Sequence, residues 1–273
     1  MSTRPIGIFD SGYGGLTILK ELVRQLPEYD YLYLGDNARA PYGNKDFETV
    51  YAYTLQAVQW LFDQGCSLVI LACNTASAKA LRTIQQNDLP NIDPQKRVLG
   101  VIRPSAEMIG NYSNTGHVGV LGTIGTTLSQ SYPIEIAKFF PAIKVTQEAC
   151  PEWVAIVENN TIDTPYANTI IQKHISAILK EDLQIDTLLL ACTHYPLLIE
   201  KIQEHTPINI KIISQGSIVA KSLKDYLARH ASIESKCAKN GNRRFFTTGD
   251  VQDFNSHASV FFGGELHAEK AIL

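Results

Sequence analysis

Leu68-Val69-Ile70-Leu71-Ala72-Cys73-Asn74-Thr75 is an apolar run of strand length that ends in a cysteine and two polar residues. Thr187-Leu188-Leu189-Leu190-Ala191-Cys192-Thr193-His194 repeats the pattern 119 positions later. Short uninterrupted apolar runs of this kind read as strands buried on both faces. The residues after each cysteine read as the start of a helix. A thiol at the exit of such a strand meets solvent, and a helix N-terminus favours its thiolate. Two such thiols on two similar units point to one site flanked from both sides.

The repetition extends upstream. Ile6-Gly7-Ile8-Phe9-Asp10-Ser11-Gly12 is matched by Val118-Gly119-Val120-Leu121-Gly122-Thr123, offset by 112. Each is a short strand running into a Gly-rich turn and then a helix. The period is too long for a solenoid and fits two similar α/β domains.

Composition narrows the class. Of 273 residues 45% are hydrophobic and 19% charged, which predicts a packed core and excludes wholesale disorder. A net charge of −3 and a pI near 6.2 give no electrostatic case for nucleic acid, and Arg243-Arg244 is too short a basic run to change that. No stretch approaches the ~18 apolar residues of a membrane span, so no membrane partner is expected. The chain begins close to its first strand with no signal-peptide core, and a cytoplasmic location is expected. The five cysteines, Cys66, Cys73, Cys150, Cys192 and Cys237, are odd in number and scattered, which fits free thiols in a reducing compartment. No CxxC occurs, and no metal is expected.

Periodicity and turn residues place strands over 6–9, 31–34, 68–72, 98–102, 118–121, 143–147, 188–191, 208–213 and 245–248. Helices are expected over 16–25, 46–64, 76–86, 128–138, 164–179, 196–204, 217–230 and 251–262, with another opened by Arg103-Pro104. Residues 87–96, with Pro90 and Pro94, read as a loop and domain boundary, and the polar stretch 231–242 as a mobile loop. Alternating strands and helices mean parallel, helix-covered sheets, whose ligands bind beyond the carboxyl ends of the strands. Asp10-Ser11, Asp36, Cys73-Asn74-Thr75 and Cys192-Thr193-His194 all fall at such ends.

Most free cysteines are small buried hydrophobes, and Cys66 and Cys237 carry that reading. The duplicated context sets Cys73 and Cys192 apart as candidate acid–base groups. Asp10 reads as a turn or N-cap aspartate, or as a carboxylate that binds an ammonium or tunes a thiol. His194 reads as a helix-start residue, or as a group that holds the proton of Cys192. Gly12-Tyr13-Gly14-Gly15 lacks both GxGxxG and a P-loop lysine, so nucleotide binding is a weak alternative.

Together these strings resemble the glutamate racemase family. The resemblance rests on Asp10-Ser11-Gly12-Tyr13-Gly14-Gly15-Leu16, Tyr33-Leu34-Gly35-Asp36, Pro41-Tyr42-Gly43, Ala72-Cys73-Asn74-Thr75-Ala76-Ser77-Ala78 and Cys192-Thr193-His194-Tyr195-Pro196-Leu197-Leu198. Thr247-Thr248-Gly249-Asp250 and Phe262-Gly263 extend it to nearly the whole chain. It implies interconversion of L- and D-glutamate without cofactor, with Cys192 taking the α-proton of the L enantiomer and Cys73 that of the D enantiomer. It further implies that Asp10 and Ser11 contact ammonium and carboxylate, and that Tyr42, Gly43, Asn74, Thr75 and Thr193 hold carboxylates. His194 would assist Cys192, and Glu158 matches a family glutamate near that cysteine. D-glutamate for peptidoglycan and a homodimer are the role and assembly expected.

Arg103, Pro151-Glu152-Trp153, Ala191 and Gln215 depart from the family's usual residues, and no activator-binding N-terminal extension is expected. The fold class expected is two similar parallel-sheet α/β domains with pseudo-twofold symmetry and the site between them. The first would comprise 1–97 plus 214–273 and the second 98–213, the return of the last segment resting on the resemblance. An aspartate or hydantoin racemase, a one-cysteine decarboxylase relative and a partner-binding protein on the same scaffold are the rival readings.

Overall fold

The computed structural model describes residues 4–273. Among them ten strands alternate with helices, and all their pairings are parallel. The strands are β1 (Ile6–Asp10), β2 (Tyr31–Gly35), β3 (Leu68–Leu71), β4 (Arg97–Gly100), β5 (His117–Gly122), β6 (Lys144–Ala149), β7 (Thr187–Ala191), β8 (Lys211–Ser214), β9 (Arg243–Thr247) and β10 (Ala268–Lys270). They form a six-stranded sheet in the order β10-β9-β2-β1-β3-β4 and a four-stranded sheet in the order β6-β5-β7-β8.

Alternate residues of a strand face opposite sides of its sheet. Ile6, Ile8, Leu68 and Ile70 enter one buried cluster, while Phe9, Val69 and Leu71 enter another. Both faces are covered, so the central strands read as unbroken apolar runs. Each such side chain contributes about 1.5–3 kcal/mol on burial. The first cluster also takes in Leu121, Leu188, Leu190 and Trp153 of the second unit, so the two units share apolar core.

The sequence repeat is reproduced in register. β2-β1-β3-β4 and β6-β5-β7-β8 are the same strand order. Ile6 lies opposite Leu68 in the first sheet, and their repeat partners Val118 and Thr187 lie opposite each other in the second. Cys73 and Cys192 therefore leave equivalent positions beyond the carboxyl ends of β3 and β7. β9 and β10 extend only the first sheet.

Several elements differ from expectation. Residues 87–96 are not all loop: a π-helical turn over Ile84–Asp88 leads into a helical turn, Leu89–Ile92. Pro90 sits in the first turn of that piece, where its missing N–H breaks no hydrogen bond. Arg97–Gly100 pairs with β3, so the strand assigned to the start of the second unit belongs to the first sheet. The strand expected over 208–213 is Lys211–Ser214, and Ile208 is fully exposed. On strand pairing, the chain changes sheets at Val101 and again at Gln215.

The stretch 231–242 is anchored. It holds a helical turn, Ala231–Glu234, and buries Ile233, Cys237 and Ala238. Asp30 accepts hydrogen bonds from the backbone N–H groups of Asn240 (2.8 Å) and Asn242 (2.9 Å) and from both side-chain amides. Two of its polar residues, Asn240 and Asn242, thus serve a long-range carboxylate. The short β10 and the helix Glu152–Glu158 are elements that periodicity did not reveal. Among the described residues no helix is long and apolar enough to cross a membrane.

Candidate active site

A cavity of about 260 Å³ opens between the carboxyl ends of the two sheets. Cys73 reaches it from the first unit and Cys192 from the second. Of the residues singled out in the sequence, Ser11, Tyr42, Gly43, Asn74, Thr75, Glu158, Thr193 and His194 also line it. Asp10 does not. It is buried behind the wall, and the N–H of Gly12 donates to its Oδ2 at 2.9 Å. Its Oδ1 has no partner.

Cys73 caps the helix Asn74–Lys79: the Ala76 N–H donates to its Sγ at 3.4 Å, and its thiol donates to the Ser11 hydroxyl at 3.6 Å. The helix end was expected to lower this thiol toward neutrality. Burial and the neighbouring Asp10 prevail instead and push it up to about 12, against the Ala76 N–H and Ser11. Burial likewise raises the Asp10 carboxyl, against the pull of His194 and the N–H groups of Gly12 and Gly15. Burial thus disfavours the ionised form of both groups.

Cys192 is supported differently. No α-helix starts behind it; a 3₁₀ turn, Tyr195–Leu198, comes first. The helix expected over 196–204 is shortened to Ile199–Glu204. The partner of Cys192 is imidazole: His194 Nδ1 lies 3.9 Å from its Sγ, and His194 Nε2 lies 2.9 Å from Glu158 Oε1. Burial disfavours the imidazolium, but the hydrogen bonds to Cys192 and Glu158 outweigh it and raise His194 to about 10. An imidazolium beside a sulfur stabilises negative charge on that sulfur. The ring edge of Phe261, from the helix Val251–Phe262, packs on His194 with centroids 5.3 Å apart.

The glycine turn after β1 is built for closeness to this histidine. A Cβ on Gly14 would lie 2.2 Å from Thr193 Oγ1 and 2.5 Å from His194 Nδ1. Thr17 in the next turn donates its hydroxyl to the Thr193 carbonyl at 3.0 Å. We expect Gly14→Ala to displace His194 and cut turnover by about 10²-fold, as a 1 Å misplacement can. Steady-state kinetics beside a thermal melt checks this: an undiminished turnover would show that the close approach is dispensable.

Among the described residues that form the cavity wall there is no lysine or arginine. Anionic groups entering it meet backbone N–H groups and the hydroxyls of Ser11, Thr75, Thr123 and Thr193. The Tyr42 hydroxyl is not among them, because it donates to Asp36 Oδ2, which also accepts from Arg39 Nε at 2.7 Å. The Asn74 side chain is also engaged elsewhere, donating to Gln215 and accepting from Tyr132. The Tyr42 hydroxyl is thus committed to Asp36, and the Asn74 amide is shared with Gln215 and Tyr132.

Thr123 was missed. It is the repeat counterpart of Ser11, and its hydroxyl lies 3.0 Å from that of Thr75 across the units. The offset of 112 that aligned the two strands also pointed to it. Nearby, the Gly125 N–H donates to the Gly43 carbonyl at 2.8 Å, closing one rim of the cavity.

The family model described as Asp/Glu/Hydantoin racemase matches residues 6–223. A glutamate racemase of Streptococcus agalactiae is 35% identical over the full length of both chains. Among solved structures, a glutamate racemase isoform from Bacillus anthracis superposes with a TM-score of 0.91 at 35% identity, covering 100% of this chain and 99% of its own. A Francisella tularensis glutamate racemase in complex with D-glutamate has a TM-score of 0.87 at 32% identity, covering 100% and 98%. The chain belongs to the Asp/Glu/hydantoin racemase family.

Proposed function

We propose that the protein interconverts L- and D-glutamate by moving the α-proton between two thiols. The observation that carries this reading is the pair Cys73 and Cys192, which line one cavity from repeat-related strand ends, each with its own polar partner. Inverting a carbon centre requires a proton to leave one face and another to arrive on the opposite face. One base cannot readily serve both.

Starting from L-glutamate, the Cys192 thiolate takes the α-proton and becomes a thiol, leaving the electron pair on the α-carbon. The Cys73 thiol then delivers its proton to the other face and becomes a thiolate. D-glutamate reacts by the same steps in reverse. Burial that keeps Cys73 protonated and His194 that keeps its proton beside Cys192 both suit the L-directed state. The Asp10 and Glu158 carboxyl groups, one buried behind the wall and the other lining the cavity, would favour the substrate ammonium, which withdraws electrons from the reacting carbon. Ser11, Thr75, Thr123 and Thr193, with N–H groups of Gly43 and Asn74, would hold the two carboxylates. The glutamate specificity follows the relatives' named activity. A role in supplying D-glutamate for peptidoglycan, a cytoplasmic location and a homodimer complete the proposal.

The test is circular dichroism of L- and D-glutamate, and of aspartate for comparison, incubated with purified protein without added cofactor. Decay of both glutamate signals to zero supports the proposal; decay with aspartate alone would transfer it to that substrate.

Asp10→Asn examines the wall behind Cys73. The amide keeps the shape but cannot take a proton. A fall of about 10²-fold in kcat, larger than any change in KM, is expected if Asp10 exchanges protons with Cys73. A change confined to KM makes Asp10 a binding residue only.

A further inference from the structure

Between Val101 and Gln215, the two points where the chain changes units, lies a closed ring of buried hydrogen bonds. Asn74 Nδ2 donates to Gln215 Oε1 at 2.7 Å, Gln215 Nε2 donates to the Tyr132 oxygen at 2.7 Å, and the Tyr132 hydroxyl donates to Asn74 Oδ1 at 2.6 Å. Gln215 Nε2 also faces Ser105 Oγ at 2.7 Å and the Val101 carbonyl at 3.3 Å, and Ser105 donates to that same carbonyl at 3.0 Å. Asn74, Ser105, Tyr132 and Gln215 are all buried.

The origins of these groups give the ring its meaning. Asn74 follows the first thiol. Tyr132 belongs to the helix Ser131–Phe139, which packs in the second unit with Ile102, Ala106 and Ile109. Val101 is the first crossing. Gln215 is the second, leading from β8 into the helix Gly216–Arg229, whose Val219, Ala220 and Leu223 pack with Leu16 and Leu19 of the first unit. One side chain therefore joins both crossings and reaches the residue beside Cys73.

We propose that Gln215 is a positioning residue: it latches the two crossings to Asn74 and so sets the separation of the two thiols across the cleft. The role rests on the two-thiol reading above. Two units joined at adjacent crossings can rotate about them, as hinged domains do. Proton transfer on both faces needs both sulfurs near the α-carbon at once, whereas a reaction that uses one base needs only one. An amide suits this place because it supplies donor and acceptor together without burying a charge.

Gln215→Leu and Tyr132→Phe, singly and together, test the latch. Racemisation of glutamate is compared with loss of HCl from each enantiomer of 3-chloroglutamate, in which one thiolate takes the α-proton and chloride leaves the β-carbon. Gln215→Leu should lower racemisation about 10–100-fold but elimination by no more than about threefold. The double variant should be no worse than the poorer single one, since both break the same ring. Equal losses in the two reactions, or effects that multiply in the double variant, would reduce Gln215 to a packing residue.

Hydrogen exchange supplies a readout that needs no substrate. In Gln215→Leu the amides near 74–76, 101–105 and 215–219 should lose protection together. Unchanged protection overturns the latch, whatever the protein acts on. Absence of glutamate turnover in the unaltered protein instead overturns the functional reading. If Gln215→Leu does not fold, Tyr132→Phe, which removes a single oxygen, carries the same comparisons.

Discussion

Replacing either Cys73 or Cys192 with alanine should abolish racemisation, with losses of about 10⁴-fold or more, the upper range for a general acid–base group. Each variant keeps one thiol and loses the other face of the reaction. Cys66→Ala and Cys237→Ala should retain most of the activity. Both residues are buried and neither lines the cavity: a Cβ on Gly7 of β1 would lie 3.2 Å from the Cys66 sulfur, and Cys237 donates to the Ile233 carbonyl within its own turn at 3.4 Å. Optical rotation of L- and D-glutamate over time distinguishes these outcomes. Substantial racemisation by either Cys73→Ala or Cys192→Ala would sink the two-thiol mechanism.

The next largest effect should be one-sided. Enantiomers have equal free energy in water, so kcat/KM must be the same in both directions for every variant. Facial preference is therefore hidden in racemisation and shows only where one base suffices. In elimination from 3-chloroglutamate, Cys192→Ser should lose about 10²–10⁴-fold with the L enantiomer and little with the D enantiomer, and Cys73→Ser the reverse. His194→Asn should follow Cys192→Ser, because the imidazole pairs with Cys192 and Glu158. Burial pushes the Cys73 thiol up to about 12, so its ionised form is scarce near neutrality and elimination from the D enantiomer should climb with pH. The opposite pairing of cysteine and enantiomer would exchange the faces while keeping the chemistry. Equal losses with both enantiomers would remove the facial assignment altogether.

The two thiols differ in support although their strands are copies. The first repeat places Asp10 and Ser11 beside Cys73, whereas the second places Gly122 and Thr123 at those positions. Thr123 turns to Thr75, and Cys192 takes its help from His194 on its own loop. One fold unit, used twice, thus presents two thiols with different polar partners. Gly14 is what allows the first unit to press against the histidine of the second.

Local spacing carried much of this in the sequence. The buried strands at 6–9, 68–72 and 188–191 are legible because both faces are covered, which demands continuous apolar residues. The helices Leu16–Gln25 and Val251–Phe262 fall at the expected residues, because an amphipathic period and a stop at Leu26-Pro27 or Gly263 are written within a few turns. The repeat alone put the two cysteines at equivalent strand ends. Tertiary structure decided what depends on groups distant along the chain. Arg97–Gly100 joined the first sheet because β3 offered an open edge. The stretch 231–242 became ordered because Asp30, some 210 residues earlier, accepts its N–H groups. The direction of the Cys73 shift reversed because its burial outweighs the helix N-terminus, and no local pattern encodes that burial. The ring of Asn74, Tyr132 and Gln215 has no sequence signature for the same reason: its three members come from separate elements, and hydrogen-bond partners that far apart are chosen by packing.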